Sequence, residues 1–236
     1  MLSHQDLTHP PIHTAPLPEG QHRGIKTERI FRILLSNVGT DLTKYRIAKL
    51  AQAQQIQVSL LLRKLEKSRL VKGTRVVDPK RLLSEWSHLR VKSESRNYLL
   101  KDILNILRNT SLEYALTTYQ AETTVNHYLF PSRTDIYIKV RDSEDWHDFL
   151  VNHGALVGGG NVRLTWYDDQ VFYNSFFLNG YRLASIPQII VDLLREGGVT
   201  VQAAEMMMKN YRSLLQLNRL EIDRTKPFQA SPKQSG

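Results

Sequence analysis

Residues 45–73, YRIAKLAQAQQIQVSLLLRKLEKSRLVKG, decide how this chain is read. Tyr45, Ile47, Ala48, Leu50 and Ala51 fall at the spacing that gives a short helix one buried side. A tight turn follows. Val58, Leu61, Leu62 and Leu65 then recur at i, i+3, i+4 and i+7, a single apolar stripe on a second helix. The opposite face of that helix carries Gln57, Leu60, Arg63, Lys64 and Lys67. Residues 70–77, LVKGTRVV, read as two short strands about a Gly-containing turn, with Lys72 and Arg75 at the tip. Upstream, the run from Lys26 to Asn37 supplies a further helix, with Ile30, Ile33 and Leu34 expected inward and Lys26, Arg29 and Arg32 outward. Helix, helix, turn, helix and basic hairpin is the order of a winged helix-turn-helix, whose second motif helix inserts into a DNA major groove.

The residue types suit that task. Gln55, Gln57 and Ser59 lie at or near the N-terminal turn of the second helix, where such helices touch base edges. Gln pairs bidentately with adenine, and Arg or Lys reads guanine or holds phosphate. The expected DNA-binding set is Lys44, Gln55, Gln57, Ser59, Arg63, Lys64, Lys67, Lys72 and Arg75. An amphipathic helical hairpin with ordinary solvated charges would show the same periodicity, so charge distribution has to decide. Residues 24–96 hold 17 Lys and Arg against 6 Asp and Glu, whereas residues 1–23 and 97–236 each balance at −1. The whole excess of +9 therefore comes from the segment with the DNA-reader pattern, the electrostatic footprint expected of nucleic-acid binding.

Bulk composition narrows the remaining classes. With 236 residues, 41% hydrophobic and 23% charged, the chain has room for two modest domains of soluble, globular character. No run approaches the roughly 18 apolar residues that suggest a membrane span. No apolar segment near Met1 suggests a secretory signal, so a cytoplasmic location is expected. The chain has no cysteine, which removes disulfides, thiolate metal sites and cysteine nucleophiles together. Residues 1–23 contain Pro10, Pro11, Pro16 and Pro18 among His4, His9, His13 and His22. They read as a flexible tail rather than a metal site, because the histidines share no helical face. Residues 218–236 are expected to be a second flexible tail.

The winged helix-turn-helix is assigned to residues 24–90. Asp78 as N-cap and Pro79 at the first helical position open a further helix, with Leu82, Leu83 and Trp86 packing inward. Residues 91–96, VKSESR, read as a polar linker. Residues 97–217 alternate between helical and extended patterns without a strict βαβ rhythm, a mixed α/β domain, so the chain as a whole is placed in the α+β class. The pattern predicts helices over 97–108, 119–128, 143–152, 186–195 and 201–217. Strands are predicted over 113–117, 134–140, 161–167, 171–178 and 181–184, with Asn179-Gly180 as a hairpin turn.

Three features of that second domain invite a catalytic reading. Gly158-Gly159-Gly160 lacks the Lys-Ser/Thr of a phosphate-binding P-loop and reads as a flexible loop. Residues 114–139 resemble the opening of a nucleotidyltransferase fold, in which a small pair after the first strand precedes Asp-x-Asp on the second. Here Thr117-Thr118 replaces the small pair and Tyr137 stands where the second carboxylate belongs, leaving only Asp135. One carboxylate cannot hold two metals, so such a scaffold would be degenerate. Asp168-Asp169 reads as a turn, and Asp192 with Glu196 as a solvated helix face. His127, His147 and His153 have no sequence-defined partner, so no catalytic constellation is discernible. Neither a cofactor nor a metal is expected.

The architecture resembles the AbiEi-type antitoxins of type IV toxin–antitoxin systems. The matching pieces are Asp78-Pro79-x-x-Leu82-Leu83-x-x-Trp86 and Tyr114-Ala115-Leu116-Thr117-x-Tyr119-x-Ala121, then Gly160-Asn161-Val162-x-Leu164. They continue with Ala184-Ser185-x-Pro187-Gln188-x-x-x-Asp192-Leu193-Leu194 and Ala203-Ala204-Glu205, so the match spreads over residues 26–210. Two departures stand out: Thr118 occupies the family's Gly after Leu-Thr, and Gly197-Gly198-Val199-Thr200 replaces its usual ending of the Asp-Leu-Leu helix. The resemblance implies a winged domain that binds inverted repeats in its own promoter and represses it. It also implies a C-terminal domain that counters a nucleotidyltransferase-class toxin of AbiEii type, directly or indirectly. Palindromic operators suit a homodimer, and monomers binding cooperatively to repeats would serve as well. Two other readings stay open: a regulator whose second domain senses a ligand or oligomerises, and an enzyme with Asp135 as its one metal ligand.

Overall fold

The computed structural model describes residues 22–225. Of the tails expected over 1–23 and 218–236, residues 1–21 and 226–236 lie outside the described residues, whereas 22–23 belong to the first helix and 218–225 to the last. The described residues are mixed α and β, with one two-stranded and one seven-stranded sheet among them. Among the described residues, no helix is long and apolar enough to cross a membrane.

Helix α1 (His22–Ser36) leads into α2 (Lys44–Ala51) and α3 (Gln55–Lys67). Thr43 starts α2 by accepting the N–H of Arg46 on its hydroxyl, which satisfies one of the free donors of the first turn. Gln52 ends α2 in the left-handed region, at φ 49°, and its N–H is directed at the carbonyls of Ala48 and Lys49. Three residues later α3 begins, burying Val58, Leu62 and Leu65. Strands β1 (Val71–Lys72) and β2 (Arg75–Val76) pair antiparallel as the predicted hairpin. Gly73 at φ 62° supplies its left-handed turn. Helix α4 (Pro79–His88) opens as expected, with Asp78 accepting the Arg81 N–H and Leu82, Leu83 and Trp86 buried.

The large sheet is built from β3 (Glu94–Leu99), β4 (Tyr114–Thr117), β5 (Thr134–Ile138), β6 (Leu156–Val157), β7 (Val162–Trp166), β8 (Phe176–Leu178) and β9 (Tyr181–Leu183). Their spatial order is β6-β3-β7-β5-β4-β9-β8. The β4–β9 and β5–β7 pairs are parallel and the other four are antiparallel. Connecting helices are α5 (Ile103–Asn109), α6 (Thr118–Val125), α7 (Ser143–Asn152), α8 (Ile186–Glu196), α9 (Val199–Lys209) and α10 (Tyr211–Thr225). Helix α8 is buried from Ile186 through Leu193. It touches α1, α4, α6, α9 and α10. One continuous apolar cluster runs from Ile30 in α1 through Trp86 and α8 to Leu215 in α10.

Several expectations are corrected. Residues 94–96 of the predicted linker are already strand, and the helix predicted over 97–108 begins only at Ile103. Leu99 and Leu100 mimic helical spacing, but Leu99 is on a strand and exposed, and Asp102 at φ 52° separates strand from helix. The strand predicted over 171–178 is a 3-10 turn (Asp169–Phe172) followed by three residues of β8, divided by Asn174 at φ 56°. The last long helix is interrupted at Asn210, and its second half continues to Thr225, past the predicted end at 217. Tyr45, expected in the core, is exposed. Arg32, expected to face solvent, is fully buried, and Arg29 is tied to Asp168.

Candidate functional site

Two features distinguish the surface and the interior: the outer face of α2, α3 and the β1–β2 hairpin, and a polar cavity over the large sheet. Burial of Val58, Leu62 and Leu65 turns the opposite side of α3 to solvent. Ile56 (61% exposed), Leu60 (56% exposed), Arg63 and Lys67 fall at i, i+4, i+7 and i+11, one stripe along the middle of that face. Of the expected contacts, Lys44, Gln55, Gln57, Arg63, Lys64, Lys67, Lys72 and Arg75 are exposed, and Ser59 is half-buried. Gln55 and Gln57 flank the central stripe, and the Gln57 Oε1 already accepts the Gln54 N–H at 3.1 Å. That leaves the Gln57 amide donors for an external acceptor.

The hairpin is fixed to α3, because the Gly73 N–H donates to Glu66 Oε1 at 2.9 Å. Arg75 is engaged in a fork on Asp41, with contacts of 2.8–3.1 Å, and this pair holds the Asp41 carboxyl below its usual range. Lys72 on β1 stands exposed at the hairpin. Sequence reasoning missed Tyr45, Arg46, Lys49 and Ile56, all exposed on α2 and α3. Their signal was present: each lies opposite the buried positions Ile47, Ala48, Ala51 and Val58.

The turn between α2 and α3 is braced from outside. Lys26 Nζ donates to the Gln52 carbonyl at 2.6 Å, and Arg29 Nη1 to Gln52 Oε1 at 2.7 Å. Gln170, from the turn before β8, donates to the Leu50 carbonyl at 3.2 Å. Arg29 also forks onto Asp168 at 2.5 and 2.8 Å. Asp168-Asp169 is thus a turn, as expected, but the buried Asp168 also anchors α1 to the sheet region.

The cavity measures about 280 Å³ and is walled by Asp135, Tyr137, Arg163, Asp192, Arg195 and Glu196, among others. Asp192 accepts from Thr117 Oγ1 at 2.6 Å, Tyr137 OH at 3.0 Å and Gln188 Nε2 at 2.9 Å. Burial pushes its carboxyl up to about 6, against the opposing pull of Arg195 and these three donors. The expected solvated face of Asp192 and Glu196 is therefore an interior one. Asp192 is buried, and Glu196 pairs with Arg133 at 2.8 Å and Arg163 at 3.1 Å. Gln188 continues the network to α1, accepting from Arg32 Nε at 2.9 Å and Nη2 at 2.8 Å. Arg195 reaches the buried Glu28 of α1 at 2.6 Å.

Asp135 is enclosed. Arg133 Nε and Arg163 Nε approach one carboxylate oxygen at 2.7 and 2.8 Å, and the Thr118 hydroxyl donates to the other. Tyr137, in the place of a second carboxylate, is committed to Asp192. Among the described residues, no group of three or more His, Asp or Glu is placed to hold a metal ion. Thr118 adopts φ 45°, the left-handed turn that a glycine would take without strain, here in a β-branched residue. Gly160 is constrained by close approach: a Cβ there would lie 2.2 Å from the Tyr98 carbonyl oxygen. The glycine run is a loop, as expected, and Asn161 beyond it bonds both backbone groups of Leu100. Of the three histidines, His147 meets Tyr98 OH at 3.0 Å and His153 the Phe149 carbonyl at 2.7 Å.

No family model, curated protein or solved structure matches this chain.

Proposed function

We propose that this chain is a DNA-binding autorepressor and antitoxin, not an enzyme, whose residues 24–90 work as a winged helix-turn-helix with α3 as recognition helix. The observation that carries this reading is a coincidence of charge and exposure. The segment with an excess of +11 is the one that turns Arg63, Lys64 and Lys67 outward beside Gln55 and Gln57. Phosphate neutralisation supplies affinity, and the polar first turn of α3 supplies base contacts. Thr43 caps the N-terminus of α2, where Lys44, Tyr45 and Arg46 face solvent in a position suited to the DNA backbone. Charge reversal at Arg63 and Lys64 abolishes DNA binding on this reading, and unchanged binding would refute the groove assignment.

The antitoxin half rests on the resemblance to AbiEi-type proteins and on the closed state of Asp135. A buried carboxylate shared between two guanidinium groups is not free to hold the metals of phosphoryl transfer, which supports a non-enzymatic role. The test is a growth assay in a host expressing the neighbouring reading frame, with and without this full chain and its Arg63→Glu/Lys64→Glu variant. Rescue by both proteins assigns antitoxin action apart from DNA binding. A harmless neighbour, or rescue that needs Arg63 and Lys64, refutes that part.

One observation favours a second reading, in which the sheet region senses a small ligand. The 280 Å³ cavity shares Asp192 and Arg195 with the network that reaches α1. A ligand that raises the melting temperature and shifts DNA affinity together would establish it.

A further inference from the structure

The N-terminal half of the exposed stripe of α3 is apolar. Ile56 and Leu60 project into solvent one turn apart, 61% and 56% exposed, where helix propensity alone would be served by Lys, Glu or Ala. Val58, Leu62 and Leu65 already supply the buried stripe of this helix, so the exposed pair adds nothing to the core. Arg63, Lys64 and Lys67 follow the pair on α3, and Arg46 and Lys49 are exposed on the adjoining helix α2. A second copy of this chain docking here would bring two basic faces together, an arrangement that like-charge repulsion opposes. A polyanion with apolar groups along its floor fits both features. The DNA major groove is such a surface, because thymine presents a C5-methyl group beside flanking phosphates.

We propose that Ile56 and Leu60 select thymine methyl groups, so that the preferred site has T at the positions under the first two turns of α3. This rests on α3 being the recognition helix. Phosphate contacts by Arg63, Lys64 and Lys67 hold the helix in the groove without reading sequence. The apolar pair then discriminates T from C by methyl burial and by leaving the cytosine amino group without an acceptor. Gln55 and Gln57 at the flanks complement this choice, since the partner of T is adenine, the base that Gln reads bidentately.

The experiment uses the full chain and a duplex selected from a random pool at low salt. Each thymine of the selected site is replaced in turn by deoxyuridine, which keeps every hydrogen bond and lacks only the methyl. The expected result is a loss of about fourfold in affinity for each methyl that meets Ile56 or Leu60. In Ile56→Ala/Leu60→Ala, thymine and deoxyuridine duplexes bind equally while the salt dependence stays that of the parent. Both positions are exposed and alanine is a strong helix former, so the variant keeps its fold. Tight binding by the parent that is indifferent to deoxyuridine overturns the methyl assignment and leaves the DNA reading intact. Failure to select any duplex overturns both. A change of oligomeric state in the double variant, with DNA affinity unchanged, assigns the pair to self-association and also overturns the proposal.

Discussion

Replacing Arg32 by methionine tests how α1 is fastened to α8 and the sheet region. Arg32 is fully buried, stacks over Trp86 at 5.4 Å, and donates to Gln188, Gln170 and Tyr167 at distances from 2.5 to 3.3 Å. It also lies 3.8 Å from the buried Glu28. Methionine preserves most of the apolar stem and removes the guanidinium. Gln188 is then left with a buried side-chain carbonyl oxygen, and Gln170 with a half-buried one, that has lost its donor, while Glu28 keeps Arg195 and the Trp86 indole N–H. Leaving an acceptor without its donor inside a protein costs about 1–3 kcal/mol, a substantial share of the roughly 5–15 kcal/mol that holds a domain together. Denaturant unfolding followed by tryptophan fluorescence reads this directly, since Trp86 lies under the guanidinium. The expected result is a lowered midpoint in a transition that carries α1, α4 and α8 together. A loss under about 1 kcal/mol would mean that Arg32 is replaceable by packing alone, refuting its role as the fastening between α1 and α8.

Three further outcomes follow from the geometry. Asp192 has a carboxyl raised to about 6 by burial, so the fold favours its protonated form. Its contribution is greatest below the ordinary carboxylate range and is lost as pH rises through about 6. Relative to Asp192→Asn, the parent should lose about 3 kcal/mol of unfolding free energy between acidic and neutral pH, and a flat or opposite trend in pH-dependent denaturation would contradict this. Gly160→Ala forces a Cβ against the Tyr98 carbonyl and should lower the melting temperature by several degrees, whereas Gly159→Ala meets no atom and should be silent. Equal effects would show that the glycine run is not constrained by strand β3. Asp41→Ala frees Arg75 from its exposed pair and should raise DNA affinity roughly two- to fivefold, measured by anisotropy; an unchanged affinity would place the hairpin away from the phosphates.

What could be seen in the sequence depended on whether a pattern was local. The helix pair over 44–67, the hairpin at Gly73 and the Asp78-Pro79 cap are written in neighbouring residues, and each forms where its spacing placed it. Ile47, Ala48 and Ala51 define the inner side of α2, and Tyr45 falls out of phase with them, which turns it outward. Partners distant in sequence were not visible. Arg29 and Arg32 look like surface charges until Asp168, Gln170 and Gln188 arrive from more than a hundred residues away. Asp192 and Glu196 look like a wet i, i+4 pair until Thr117, Tyr137, Arg133 and Arg163 enclose them. Residues 94–99 were divided between linker and helix because β3 takes its register from β7 and β6, not from any alternation of its own. On the exposed face of α3, attention to polar residues passed over Ile56, whose exposure becomes informative only after Val58, Leu62 and Leu65 are known to fill the core.

The most direct measurement is equilibrium binding of the full chain to a labelled duplex from upstream of its own reading frame, followed by anisotropy between about 50 and 200 mM salt. DNA recognition through the basic face of α2 and α3 predicts tight binding at the low end and a linear fall of log affinity with log salt. The slope should be steeper than about −3, one increment of roughly −0.9 for each phosphate neutralised, and Arg63→Glu/Lys64→Glu should remove the binding. Absence of binding at the lowest salt, or an affinity indifferent to both salt and the Arg63 and Lys64 charges, would contradict it.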